Sequence, residues 1–190
     1  MPDAPDNLPQ FAQFERYRSY LLVLARLQLD RRWHARIDPS DLVQQTLLDA
    51  HARWHQLGTE NAELAAWLRK ALANNLADAL RTMRRAKRDV TREVSLEGAL
   101  DDSSAQLGQW VAKEQSSPSQ QAARTEDLLR LTDALTRLPE LQREAIIRHH
   151  LQGWSLRDTA RELVRSDTAT AGLLHRGLKR LRELMRNDLD

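Results

Sequence analysis

The sequence contains no cysteine. That excludes a disulfide framework, a thiolate metal site and a cysteine nucleophile. Glycine and proline are scarce, six of each in 190 residues, and aromatic residues make up only 5%. Few turn-formers, few aromatics and many Ala, Leu, Arg and Gln describe an all-α chain. No apolar run approaches the roughly eighteen residues of a spanning helix, so no membrane insertion is expected. The N-terminal stretch, with Pro2, Pro5 and Pro9, lacks the apolar core of a signal peptide, and a cytoplasmic location is the expectation. A Gly-rich phosphate loop, a Gly-x-Ser-x-Gly turn and a nucleophile beside a base are all missing, so neither an enzyme nor a cofactor is expected. Metal binding is not expected either: His51 and His55 share a helix face but find no third ligand, and adjacent His149 and His150 should diverge.

The chain also lacks a strong overall charge, with a net value of only +2. The distribution carries more meaning. Arg81, Arg84, Arg85, Lys87, Arg88 and Arg92 crowd one stretch against Asp89 alone. An acidic stretch follows, with Glu93, Glu97, Asp101, Asp102, Glu114, Glu126 and Asp127, and the tail from Arg176 to Arg186 is basic again. Near-neutrality therefore hides two patches suited to a polyanion.

Apolar spacing predicts a first helix over about Gln10 to Asp30, with Phe14, Tyr17, Leu21, Leu24 and Leu27 inward. Asp38-Pro39-Ser40-Asp41 is a helix start, with a capping acid and an early proline. The helix it opens should bury Val43, Leu47, Ala50, Trp54 and Leu57 and end at Gly58. A long third helix is expected from near Glu63 to near Arg88, with Leu64, Leu68, Leu72, Leu76, Leu80 and Met83 inward. From about Val94 to Arg124 periodicity fades among Ser103-Ser104, Ser116-Ser117-Pro118 and unpaired acids. This reads as a flexible acidic linker with one helical turn near Leu107 to Val111.

Periodicity resumes with Leu128, Leu131, Leu135 and Leu138, and Pro139 opens a helix that Gly153 closes. Ser155-Leu156-Arg157-Asp158 is a variant capping box, and Ser166 caps again after a turn of only two residues. A short helix, a tight turn and a basic helix form the plan of a helix-turn-helix whose second helix enters the DNA major groove. Helical spacing turns Thr170, Leu174, Gly177, Leu181 and Leu184 inward, leaving Asp167, Thr168, Ala171, Gly172, His175, Arg176 and Lys179 outward.

These residues together resemble the extracytoplasmic-function sigma factors of the sigma-70 family. The likeness runs from about Phe11 to Met185. Asp41-Leu42-Val43-Gln44-Gln45-Thr46 is similar to the family's core-polymerase-binding signature. Trp67-Leu68, Asn74 and Asp78-Ala79-Leu80-Arg81 are similar to its promoter-melting, −10-reading helix. Leu138-Pro139, Gly153-Trp154-Ser155, Ala160, Leu174-His175-Arg176 and Leu181 are similar to its −35-reading domain. The Ser-Pro-containing acidic linker resembles that of a planctomycete-like subgroup.

The resemblance implies two small helical domains: sigma domain 2, a three- to four-helix bundle over residues 1–93, and sigma domain 4, a helix-turn-helix over residues 126–190. They are joined by the linker over residues 94–125. It implies core RNA polymerase and promoter DNA as partners, duplex at −35 and single-stranded at −10, with an anti-sigma factor as a further possible partner. The expected polymerase-binding residues are Asp41, Leu42, Gln44, Gln45 and Leu48. Asp41 would meet a cation, the glutamines would exchange hydrogen bonds, and Leu48 would anchor. The expected −10 contacts are Asn74, Asn75, Asp78 and Arg81, with inward packing the alternative for Asn75 and with Arg84, Arg85 and Arg88 on phosphate, because holding unpaired bases calls for amides along a cationic track. The expected −35 contacts are Arg165, Ser166, Thr168, His175, Arg176 and Lys179, the hydroxyls lying at a helix N-terminus that suits a phosphate.

The chain departs from the family pattern in places. Val164 stands where the turn often has Gly, and Ala171-Gly172-Leu173 stands where polar DNA contacts are common. Thr170 and Gly177 replace apolar packing residues, which predicts a loosely packed domain. Two other readings remain open from the residues alone. One is a dimeric helix-turn-helix regulator that binds duplex operators without polymerase. The other is a helical interaction protein that acts as a decoy.

Overall fold

A computed structural model describes residues 13–29, 36–57, 61–85, 96–112 and 121–187. Among the described residues there are helices and no strands. Two compact units emerge, Met1–Thr125 and Glu126–Asp190.

The N-terminal unit packs helices against one another. Helix α1 covers Arg18–Gln28 and buries Tyr20, Leu21, Val23, Leu24 and Ala25. Ahead of it the chain turns at Arg16 and Tyr17, so the expected first helix is broken there, although Phe14 and Tyr17 both reach the core. Helix α2 covers Pro39–Ala52. The Asp38 carboxylate accepts from the Ser40 amide at 2.8 Å, and Pro39 takes a first-turn position where no amide proton is needed. Val43, Leu47 and Ala50 are buried as the spacing requires. The helix ends at Ala52 and tightens into a short 3₁₀ turn, Trp54–Gln56, rather than running on toward Gly58, which lies outside the described residues. Helix α3 covers Asn61–Arg85 and buries Leu64, Leu68, Leu72 and Leu76, with Leu80 and Met83 half-buried.

The fourth helix corrects the linker expectation. Residues Leu96–Ala112 form α4, which packs against both α1 and α3. Leu100 and Leu107 are fully buried. The serines that suggested a loop instead bond to α1. Tyr20 and Ser104 share a hydrogen bond of 2.8 Å between their hydroxyls, and the Gln28 amide donates to the Ser103 hydroxyl at 2.8 Å and to the Ala99 carbonyl at 3.1 Å. Burial pushes the Tyr20 phenol up from its ordinary pKa, against the pull of Arg69 nearby.

The C-terminal unit begins in α5, Gln121–Thr136, whose Leu128, Leu131 and Leu135 are buried with Leu138 after it. Pro139 then leads into α6, Glu140–Ile146, which widens into a π-type turn over Ile147–Leu151. Gly153 ends that stretch with φ +71°, a left-handed conformation that suits a residue without a Cβ. Ser155 caps α7, Leu156–Glu162, accepting from the Asp158 amide at 3.0 Å and donating to the Asp158 carboxylate at 2.6 Å. Helix α8, Asp167–Asn187, buries Thr170, Leu174, Gly177, Leu181 and Leu184, the five residues that its spacing turns inward.

The unit is not loosely packed at Gly177. A Cβ there would lie 2.9 Å from Ile146 Cδ1 and 3.2 Å from Gln142 Cβ, so glycine is what lets α8 approach α6. The His149 and His150 rings do not diverge: they meet edge to face, 4.9 Å between centroids, on the widened turn. Among the described residues no group of His, Asp or Glu is arranged to hold a metal.

Candidate polymerase- and DNA-binding surfaces

Helix α2 presents Asp41, Gln44, Gln45 and Leu48 outward. Leu48 is 50% exposed. Leu42 differs from the expectation: it is only 8% exposed and belongs to the core, because it lies on the inward side with Val43 and Thr46. Gln45 donates to the Asp49 carboxylate at 2.9 Å. The same carboxylate accepts from the Asn75 amide of α3 at 3.0 Å, and that amide also donates to the Thr46 hydroxyl at 3.1 Å. Thr46 in turn donates to the Leu42 carbonyl at 2.8 Å. Asn75 is therefore committed to α2 and does not stand on the exposed face expected for −10 contacts.

On α3 the exposed row is Asn74, Asp78 and Arg81. Arg81 donates to the Asp78 carboxylate at 2.9 Å with both side chains well exposed. Such a surface pair contributes roughly 0–1 kcal/mol. Arg84 and Arg85 continue the helix, and Arg88 falls outside the described residues. Nearer the start of α3, Arg69 is engaged by α4 and α1: it donates to the Asp101 carboxylate at 2.7 Å and to the Tyr20 hydroxyl at 3.2 Å. Lys70 pairs loosely with Glu97 at 3.8 Å.

In the C-terminal unit, α7 ends in a Schellman turn. The Arg165 amide bonds the Ala160 carbonyl at 2.9 Å and the Val164 amide bonds the Arg161 carbonyl at 3.2 Å. Val164 occupies the left-handed position with φ +54° and is 72% exposed. The Ser166 hydroxyl accepts from the Ala169 amide at 3.2 Å and caps α8, which leaves its own proton free to donate. Thr168, His175, Arg176 and Lys179 all stand exposed on α8, and Arg165 is exposed in the turn, where one guanidinium nitrogen donates to the Val164 carbonyl at 2.9 Å. Gly172 gives Arg176 room: a Cβ there would sit 3.2 Å from the Arg176 Nη1, so the guanidinium lies back over bare backbone.

A partly buried ionic cluster ties α7 to the stretch that precedes it. Arg148, on the π-type turn, reaches Glu144 at 3.0 Å and Glu162, the last residue of α7, at 3.8 Å. Its guanidinium lies 5.4 Å from the Trp154 ring centre. Sequence reasoning missed it. The available signal was one arginine beside the apolar run Ala145-Ile146-Ile147, four residues after a glutamate.

The family model described as "Sigma-70, region 4" matches residues 128–181, which lie in the C-terminal unit. The RNA polymerase sigma-E factor of Streptomyces coelicolor is 30% identical over 156 residues, covering 81% of this chain and 76% of that protein. The chain belongs to the extracytoplasmic-function sigma factors. The sigma-E factor of Streptomyces avermitilis matches to the same 30% over 81% of this chain and 75% of its own length. Among solved structures, the sigma factor RpoE in complex with the anti-sigma factor NepR from Bartonella quintana matches at 23% identity, 95% of this chain and 97% of that one, with a TM-score of 0.34. As a sigma factor the chain is a transcription initiation factor that directs RNA polymerase to promoters. No helix among the described residues is long and apolar enough to cross a membrane.

Proposed function

We propose that this sigma factor grips core RNA polymerase with the outward side of α2, captures the −10 element on α3 and reads the −35 element with α8. The observation that carries the reading is the exposed row Thr168, His175, Arg176 and Lys179 on a capped helix, in the unit that matches region 4. Arg176 and Lys179 supply positive charge for duplex phosphate or a guanine edge, and Ser166 and Thr168 supply hydroxyls at the helix N-terminus. On α2, Asp41, Gln44, Gln45 and Leu48 form the polymerase face, with Leu42 supporting it from the core. On α3, Asn74, Asp78 and Arg81 meet the unpaired strand, and Arg84, Arg85 and Arg88 extend the cationic track. RNA synthesis itself belongs to the polymerase, and the chain works beside it in the cytoplasm. An anti-sigma factor would act by covering the Leu48 face.

Transcription reconstituted with purified core polymerase on fragmented genomic DNA tests this reading. The expected outcome is a small set of transcripts that require the chain. Replacing both Arg176 and Lys179 with Ala should weaken those with a −35 element, by roughly 1–3 kcal/mol of binding for each side chain that reads a base. The operator-binding alternative predicts symmetric binding to closed duplex without polymerase, and the decoy alternative predicts indifference to the double substitution. Absence of any dependent transcript would overturn the proposal.

A further inference from the structure

The polymerase face and the −10 face lie on two different helices, and their relative rotation decides where an unpaired base meets its reader. Apolar contact between α2 and α3 resists separation but tolerates small rotations, because dispersion is non-directional. Hydrogen bonds between side chains do not tolerate them. One such bridge joins these helices near the middle of α3. The Asp49 carboxylate takes the Asn75 amide at 3.0 Å on one oxygen and the Gln45 amide at 2.9 Å on the other. Asn75 is braced a second time by Thr46 at 3.1 Å. Both Asp49 and Asn75 are half-buried, where a directed bond counts for more than on the open surface. The placement is informative at each end. Gln45 stands exposed on the polymerase face, and Asn74, the neighbour of Asn75, stands exposed on the −10 face.

We infer that Asp49 and Asn75 are positioning residues that set the register between the polymerase-docking side of α2 and the base-capturing side of α3. This rests on the function proposed above. Neither residue touches DNA. Their joint holds Asn74, Asp78 and Arg81 at one angle to the docked polymerase, so that docking aims the capture face at the −10 strand. A polymerase group that engaged Gln45 would act on the same carboxylate that holds Asn75.

The test uses holoenzyme built from the full chain, with promoter opening read from 2-aminopurine fluorescence in the −10 strand. Polymerase affinity is read separately from the anisotropy of labelled sigma factor, and folding from circular dichroism. Asn75→Asp sets two carboxylates against each other. It should slow opening by about 10- to 100-fold, the range expected for a displacement of about 1 Å at a reactive surface, with polymerase affinity within about twofold. Combining it with Asp49→Asn exchanges the two groups: the amide now on α2 can donate to the carboxylate now on α3, and the Thr46 hydroxyl can turn toward that carboxylate. The double variant should open promoters within about threefold of the natural chain. If Asn75→Asp alone fails to fold, the double variant still decides, because it must both fold and open.

Equal losses of opening and polymerase affinity would reduce the pair to a stability element and overturn the inference, as would a double variant no better than the single. Normal opening by Asn75→Asp would also overturn it. Failure of the underlying reading looks different: Asn74→Ala and Arg81→Ala would then leave opening intact, and Leu48→Ala would leave polymerase affinity intact.

Discussion

At Val164, a β-branched residue with φ +54°, the backbone sits in a region that L side chains disfavour by about 1–3 kcal/mol. The two Schellman bonds hold it there, and the side chain, being mostly exposed, recovers little by burial. Val164→Gly should therefore raise stability by about 1 kcal/mol, the strain relieved less the extra chain entropy that glycine gives up on folding. Two glycines on α8 should respond oppositely to alanine. Gly172→Ala meets only the movable end of Arg176 and should gain up to about 1 kcal/mol of helix propensity. Gly177→Ala meets Ile146 and Gln142 where α8 packs on α6 and should lose stability despite the same propensity. Urea denaturation of the three variants checks all of this at once; a stabilised Gly177→Ala would show the helix packing to be softer than its geometry. Thr170 adds a related cost, since its buried hydroxyl finds no partner among the described residues.

The elements differ in how openly the sequence declared them. The inward set of α8 followed from a 3.6-residue period, and the caps at Asp38 and Ser155 from residue type alone. Helix α4 did not show itself. Its apolar residues Leu96, Leu100 and Leu107 are interrupted by Ser103 and Ser104, which face inward to partners on α1 far away in sequence. Inward-facing polar residues erase periodicity, and only the folded bundle supplies the reason for them. Asn75 stayed ambiguous for the same cause: a surface amide and a bridging amide look alike until Asp49 and Thr46 stand opposite. The outward placement of Arg176 and Lys179 was easier to read, because outward positions follow from the period without knowledge of any partner. If α4 is a structural helix of its bundle, Leu100→Ala should destabilise the N-terminal unit by about 2–5 kcal/mol, as for a buried leucine elsewhere. Thermal unfolding checks this, and a change near zero would return the segment to a tether.

For the whole molecule, two compact units imply two sources of stability with separate sensitivities. The C-terminal one carries His150, whose imidazole pKa is lowered by burial and by the adjacent His149. The unfolded chain then binds more protons than the folded one between the depressed value and about 6.5, so stability rises with pH across that window and is lost as pH falls through it. Melting followed from pH 8 to pH 5 should show the C-terminal unit weakening below about 6.5, with a shallower decline in His150→Gln. An unchanged slope in that variant would assign the effect to other groups. The strained turn has a meaning at this scale too. A protein retains such a residue only while its overall stability clears the threshold that function requires, so Val164 marks unused adaptive slack. Under selection for heat tolerance, a randomised pool of this chain should converge on glycine or asparagine at position 164 before it alters any residue of either core.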